Sequence, residues 1–433
     1  MAEIKPIKAW RYNADLSQNI DDLTSPLFDV VSKKQREALY QNSFNSIHLS
    51  VPLEPNAAQR AEQLLDQWKK DGTLEQDKLP GIYVYYQYFK LAGLSKEFCR
   101  KGFVCNIRAY DWKENVILRH ENTIPKSVND RIALLEKTEL NVSPTHGLYT
   151  DDRFELEAYM DEAITNPIYE VEDYQGVRDV LAVIHDGDVI QRFVDAIEKK
   201  KIILADGHHR YEGSLIHKHN QQALNKNHTG EEGYNFHLMY LTNTEAGDLR
   251  ILPTHRLIKG LGHFDEQRMV KQLENDFIVK PIEDAHTLNE VIQGKQWAFG
   301  IIFKDAAYKV RLKPEALAKM TWHFPEEVKT LDLTVMHYFI IEKIIGIPGK
   351  EQRQSENIDF DRSFSDCLTK VFKDEAQLAI ITNEVTIEEI KKVCASGYTM
   401  PQKSTYFYPK VICGFLFSSI KEDEFHSPDY SRF

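Results

Sequence analysis

Five consecutive residues, Asp206-Gly207-His208-His209-Arg210, carry the densest chemistry in this chain. They follow KIILA, an apolar run of strand length, and precede YEGSLIHKHN, which continues at helical spacing through Leu215 and Ile216. A strand that enters a glycine-containing turn and then a helix leaves the first backbone N–H groups of that helix unpaired and aimed outward. The helix dipole adds partial positive charge at the same point, so the geometry suits a phosphate. Gly207 permits the tight turn and the close approach of a ligand oxygen. Arg210 can fork onto two phosphate oxygens, and His208 and His209 can supply further donors. The plain alternative is a helix capped by Asp206, with two surface or packed histidines. As a metal site the pair lacks the i, i+4 spacing of helical ligands.

Strands and helices that must position this turn alternate along the whole chain, which predicts a mixed α/β (α+β) fold. SIHLSVP (46–52) reads as a strand, AAQRAEQLLDQWKKDG (57–72) as a helix ending at Gly72, and GIYVYYQYFK (81–90) as an aromatic strand. Alternation in that last run puts Tyr83, Tyr85 and Gln87 on one face and Val84, Tyr86 and Tyr88 on the other, and such stripes usually pack as core. KGFVCNIRAYDW (101–112) reads as the next strand, and Asn129 or Asp130 can cap a helix carrying Ile132, Leu134 and Leu135. QQALNKNHTGEEGYN reads as a surface loop and FHLMYLTN (236–243) as a buried strand. From 262 the order is helix, strand, helix, two strands, a helical section through Leu331, Val335, Phe339 and Ile340, then strand and helix ending at Gly397. Soft boundaries near 100 and 262 give regions 1–100, 101–261 and 262–433.

Composition narrows the functional classes. With 433 residues, 42% hydrophobic and 28% charged, the chain is long enough for two or three cores of ordinary globular type. A formal net charge of −12 disfavours a nucleic-acid partner, which needs clustered Lys and Arg, but leaves room for a small anionic ligand held by local donors. No stretch approaches the ~20 apolar residues of a membrane helix, and the start MAEIKPIKAW lacks a signal-peptide core, so a cytoplasmic protein without membrane partner is expected. Cys99, Cys105, Cys367, Cys394 and Cys413 have neither C-x-x-C nor zinc spacing and read as reduced thiols.

DGHHR after a strand is similar to the phosphate-binding box of the ParB/sulfiredoxin superfamily, whose members bind nucleotides with a Gly-x-x-Arg turn. By motif the chain resembles the free serine kinase branch, which carries Asp-Gly-His-His-Arg here and a His-Glu pair upstream, matched by His120-Glu121. The end of that branch, with its strand, helix and Lys-Thr-Thr-like loop, resembles AQLAIITNEVTIEEIKKVCASGYTMPQKSTY. Over nearly its whole length the chain also looks like a bacterial and archaeal family catalogued as a domain of unknown function, through SPLFDV (25–30), HENTIPKSVNDR (120–131), ADGHHRYE (205–212) and PTHR (253–256). That family more often has Pro-Pro-Tyr-Asp where Ser25-Pro26-Leu27-Phe28-Asp29 stands, so the first proline and the tyrosine hydroxyl are missing.

The resemblance implies a ParB/sulfiredoxin-like nucleotide-binding core at 101–261, with an N-terminal α/β region before it and a C-terminal α/β substrate-binding region after it. It further implies a kinase that moves a phosphoryl group from ATP or ADP to the hydroxyl of free serine. Glu121 is then the base and Asp206 its catalytic partner, holding Mg2+ or orienting the acceptor. Gly207, His208, His209 and Arg210 grip the nucleotide phosphates together with His120 and Thr123. Lys403, Ser404, Thr405 and Arg256 bind the substrate, although Tyr406 stands where an Arg-like residue belongs. Lys126, Asp130 and Arg131 suit either a second phosphate contact or an ordinary helix-start ion pair. The alternative is a nucleotide-binding regulatory protein of the ParB-like type. Sulfiredoxin-like redox repair needs a cysteine in the box, where His208 and His209 stand.

Overall fold

In the computed structural model, which describes residues 1–91, 93–401 and 403–425, the chain forms a mixed α/β fold with two compact units. Unit 1 takes Met1–Arg119, Thr123–Leu249 and the segment from Pro409 onward, and unit 2 takes His120–Asn122 and Arg250–Tyr408. The chain passes between them at 119/120, 122/123, 249/250 and 408/409. These units cut the chain otherwise than the regions expected at 100 and 262. A single strand, Glu97–Arg108, runs straight through position 100.

Unit 1 is built on nine strands: β1 (Ile4–Lys5), β2 (Ile82–Lys90), β3 (Glu97–Arg108), β4 (Ile117–Arg119), β5 (Thr145–Tyr149), β6 (Tyr169–Glu172), β7 (Arg178–Ile184), β8 (Ile202–Asp206) and β9 (Phe236–Asn243). Their order is β4-β8-β5-β9-β3-β2-β7-β6, with β1 beside β3. Pairing is antiparallel except for β8 with β4 and β9 with β5. The two-residue period of β2 divides its side chains as expected. Tyr83 and Tyr85 pack with Leu65 and Trp68 of helix α1 (Ala57–Lys70), while Val84 and Tyr86 pack with Ile190 and Phe193 of a later helix. Each such side chain stabilises the fold by roughly 1.5–3 kcal/mol on burial.

Besides shorter helices, unit 1 carries three more long ones: α2 (Pro125–Thr138), α3 (Gly187–Glu198) and α4 (His208–Leu224). Helix α2 begins at Pro125, ahead of Asn129 and Asp130, because proline at the first helical position forfeits only an N–H that has no partner there. SIHLSVP is a short helix at Ile47–Ser50 and no strand. Asn45 Oδ1 accepts from Ile47 N–H at 2.9 Å while Asn45 Nδ2 donates to Asp22 and Thr24 carbonyls, an Asx turn that outcompetes the extended form. Helix α4 also consumes the first residues of the expected loop, reaching Leu224.

In unit 2, β10 (Arg250–Leu252) pairs with a late strand, and a six-stranded sheet is built from β11 (His255–Ile258), β12 (Phe277–Ile282), β13 (Ala298–Ile302), β14 (Ala307–Leu312), β15 (Ile358–Asp361) and β16 (Leu378–Ile381). Its order is β12-β14-β13-β16-β11-β15, antiparallel throughout. The partner of β10 is β17 (Tyr406–Tyr408). Helices α5 (Glu266–Asp276), α6 (Phe364–Phe372) and α7 (Ile387–Ser396) stand where helical spacing puts them, with Gly397 closing α7 at φ +74°. The five cysteines are free thiols, four of them buried. Among the described residues no helix is long and apolar enough to cross a membrane.

Candidate functional site

In unit 1, strand β8 ends at Asp206 and α4 begins at His208, so Gly207 alone makes the turn. Its φ is +87°, and a Cβ there would stand 2.6 Å from Thr145 Cγ2, so only glycine fits. Gly207 is the N-cap of a seventeen-residue helix and, having no side chain, does not itself cap it. Asp206, the expected alternative cap, points elsewhere. Its Oδ1 accepts from Lys410 Nζ at 2.8 Å, and its Oδ2 lies 3.6 Å from Arg210 Nη2. Burial acts to raise the Asp206 carboxyl, but the Lys410 ammonium and then the Arg210 guanidinium outweigh it and hold it below the usual carboxylate range.

Arg210 is buried, not presented to solvent. Nη1 donates to Ser143 Oγ at 2.9 Å and Pro144 O at 2.7 Å, tying the turn to the chain just before β5. His208 is buried as well. His209 Nε2 accepts from Ile124 N–H at 3.0 Å, which fixes the residue after Thr123 at the entrance to α2. Arg131 pairs with its neighbour Asp130 and donates to Ser50 O at 2.8 Å, the ordinary role of the two foreseen for it.

Lys410 has its own support. Arg100 Nη2 donates to Pro409 O at 2.5 Å, and Gln87 Nε2 donates to Lys410 O at 3.0 Å. Gln87 Nε2 also reaches Asp179 Oδ1 at 2.7 Å, and burial pushes the Asp179 carboxyl up to about 8. Opposite Asp206 in the register lies His146, whose ring stacks on Tyr240 and whose Nε2 meets Thr242 Oγ1 at 2.7 Å. Burial, then the charge of Arg100, keeps that imidazole neutral.

In unit 2, the segment 120–122 is held by the loop before β17. His120 O accepts from Met400 N–H at 2.8 Å, and His120 Nε2 meets Thr405 Oγ1 at 2.8 Å. Glu121 Oε1 accepts from Ser404 N–H at 3.1 Å, and Asn122 Nδ2 donates to Thr399 Oγ1 at 2.7 Å. Six of the residues singled out from sequence therefore share unit 2: His120, Glu121, Lys403, Ser404, Thr405 and Arg256. Arg256 is fully buried in β11, donates to Thr254 O and faces Phe360, over which Lys403 Nζ also lies at 4.8 Å. Burial lowers its guanidinium to about 9 against the pull of Glu121. The others, Thr123 and Asp206 through Arg210, belong to unit 1.

Asp206 does not fit the metal role expected of it. Its carboxylate already carries two cationic partners, which a hard divalent ion would have to displace. Among the described residues no group of three or more His, Cys, Asp or Glu is arranged to hold a metal ion.

The family described as "Protein of unknown function (DUF1015)" matches residues 4–334. The chain belongs to the DUF1015 family. The DUF1015 match takes in His120, Glu121, the turn at 206–210 and Arg256, and leaves Lys403, Ser404, Thr405 and Lys410 beyond its end. No curated protein matches the chain in sequence. Among solved structures it is similar to free serine kinase in complex with AMP (15% identity, TM-score 0.36, covering 72% of this chain and 90% of that one). It is also similar to a conserved hypothetical protein from Pyrococcus furiosus (14%, TM-score 0.35, 72% and 94%) and to C-terminally truncated SbnI from Staphylococcus aureus (12%, TM-score 0.34, 72% and 84%). Sequence reading passed over Lys410, His146 and Asp179. Only Lys410 left a trace, as a lone cation in the run YFYPKVICGFLF.

Proposed function

We propose that the chain is a small-molecule kinase that transfers a phosphoryl group from ATP or ADP to the hydroxyl of free serine or a similar hydroxy compound. The observation that carries this reading is the start of α4, where a strand turns through the positive-φ Gly207 straight into a seventeen-residue helix and so directs the positive end of its dipole to an anion. In this reading Gly207 and the turn's N–H groups hold the phosphate, and His208 and His209 add donors. Arg210 shapes the turn from within and is a positioning residue.

Glu121 is the base. The acceptor oxygen forms a bond to the terminal phosphorus, the bond from that phosphorus to the leaving nucleotide's oxygen breaks, and Glu121 receives the hydroxyl proton. Support for this role comes from the Ser404 N–H, which fixes one carboxylate oxygen, and from Arg256, whose guanidinium lies within electrostatic reach of the carboxylate. His120, anchored on Thr405 and Met400, orients Glu121, and Lys403 through Thr405 form the acceptor side.

The test is direct. Purified protein is incubated with ATP or ADP, magnesium and a panel of hydroxy amino acids, and phosphorus NMR reads the products. A new phosphomonoester that depends on the hydroxy compound is the expected result. Tight nucleotide binding with no phosphoester from any compound transfers the case to a nucleotide-binding regulatory protein.

A further inference from the structure

Unit 2 contains a cavity of about 650 Å3 to which the kinase reading gives no part so far. Trp322, Phe324 and Phe360 supply aromatic wall, and His337, Lys350 and Arg353 are polar members of it. Asn122, next in the chain to Glu121, also lines it, as do Thr399 through Pro401 from the loop whose Ser404 N–H meets Glu121.

One wall depends on unusual winding. Met336–Ile345 is a π-helix, in which hydrogen bonds run between residues five apart. His337 and Glu342 are five apart, and both line the cavity. On an α-helix that spacing would turn them ~140° away from each other. Stretches of π-helix are rare and recur at functional sites.

The hydrogen bonds of this wall determine what it offers. His337 Nδ1–H donates to Gln352 Oε1 at 2.6 Å, because Gln352 Nε2 is engaged with His337 O and Ile347 O. That tautomer leaves Nε2 as an acceptor, without a protein partner among the described residues. Burial, helped by Arg256, lowers the imidazole to about 3, so it stays neutral. Glu342 accepts from Trp322 Nε1–H at 3.1 Å and Gly349 N–H at 2.8 Å and pairs with Lys343, so its charge is compensated. Gly349 lets the indole sit close, since a Cβ there would stand 2.4 Å from the ring.

Such a cavity suits a flat apolar body, a hydrogen-bond donor and a negative charge facing Lys350 and Arg353. Its volume falls among pockets of ~300–1,000 Å3 that enclose drug-sized ligands, well beyond the needs of bare serine. We infer that this cavity receives the body of the phosphoryl acceptor, an anionic hydroxy compound bearing a ring-sized apolar group and an N–H or O–H donor. The inference rests on the kinase reading through Glu121 and narrows its acceptor away from free serine.

N-benzoylserine carries every feature named and serves as the probe, with serine and adenosine as comparisons, by calorimetry on the full chain. The probe should bind at least about tenfold more tightly than serine, and Trp322→Ala should remove about that factor. Lys350→Glu, at an exposed position that the fold tolerates, should weaken the probe about threefold or more and leave nucleotide affinity unchanged. Equal affinities for serine and the probe overturn the inference, as does probe binding that ignores both substitutions. Adenosine binding that is lost in Trp322→Ala also overturns it, since the cavity would then be a nucleoside site. Serine phosphorylated by a protein that does not bind the probe sinks the cavity inference alone. Probe bound and never phosphorylated, with no other hydroxy compound phosphorylated, sinks the kinase reading and with it the acceptor role, and leaves the cavity as a binding site for such a compound.

Discussion

The turn at 206–210 in unit 1 and the His120–Asn122 segment in unit 2 carry the same kind of residues and are held by opposite means. At the turn, charged side chains hold one another: Asp206 pairs with Lys410 and Arg210, and Arg210 binds Ser143 and Pro144. In the 120–122 segment the backbone does much of the holding, through Met400 N–H and Ser404 N–H, and the Glu121 carboxylate is half-buried and oriented. The difference separates two uses of charge. In the proposed kinase, one set of ionic groups would build a surface for a phosphate, and the other would orient a carboxylate to receive a proton.

Four measurements break or sharpen that contrast. Glu121→Gln keeps size and hydrogen bonding but cannot take a proton, so turnover should fall by ~10²–10⁴ with nucleotide affinity retained. Turnover near the parent rate would remove Glu121 from the chemistry. Asp206→Ala should act on stability as well as binding, because it strands charge in a mostly buried cluster. A loss of about 3 kcal/mol in urea unfolding is expected, whereas a loss below ~1 kcal/mol would mean that the pair with Lys410 is a surface-type bridge.

Arg210→Ala comes next. Removing its bonds to Ser143 and Pro144 should cost about 2 kcal/mol of stability and weaken nucleotide binding indirectly, by loosening the turn. Full stability with weakened binding would return Arg210 to direct phosphate contact.

The smallest effect per residue is acid sensitivity. Burial lowers His237 in unit 1 to about 3, and His337 and His255 in unit 2 to about 3 and about 4. Each is neutral when folded and takes a proton when unfolded below its ordinary value near 6.5. Stability is therefore lost as pH falls from there, by up to ~1.4 kcal/mol per pH unit for each histidine. Asp206, whose carboxyl is depressed, contributes its share of the loss only below about 3.8, so the two contributions separate on the pH axis. Urea midpoints at pH 7, 6 and 5 check this, and a flat profile would mean that the imidazoles are hydrated.

Periodicity in the sequence revealed most elements, because β2, β8, β9 and the alternation after 262 bury apolar faces at spacings that leave little choice. Where it failed, local side-chain chemistry decided: Asn45 turned SIHLSVP into a helix, and Pro125 started α2 early. Of the candidate site, the Gly207 turn was legible because a positive-φ glycine between strand and helix has a local signature. The burial of Arg210 was not, since its partners Ser143 and Pro144 are 66 and more residues away. Lys410 lies still farther from Asp206 along the chain. The π-helical wall was invisible for another reason, as nothing in MHYFIIEKII distinguishes π from α winding.

The return of the chain to unit 1 after Tyr408 has a consequence for synthesis. Lys410 and the core residues Val411, Ile412, Phe415, Leu416 and Phe417 emerge from the ribosome only after residues 250–408 have been made. Unit 1 therefore cannot complete its core until residues 250–408 have been synthesised. Its sheet, whose nine strands all precede residue 250, must wait with the faces meant for those side chains open while unit 2 is still being translated, an interval in which a nascent chain is exposed to aggregation. Shortening the chain from its end by the segment after 408 should for the same reason damage the first unit to be translated and spare the second.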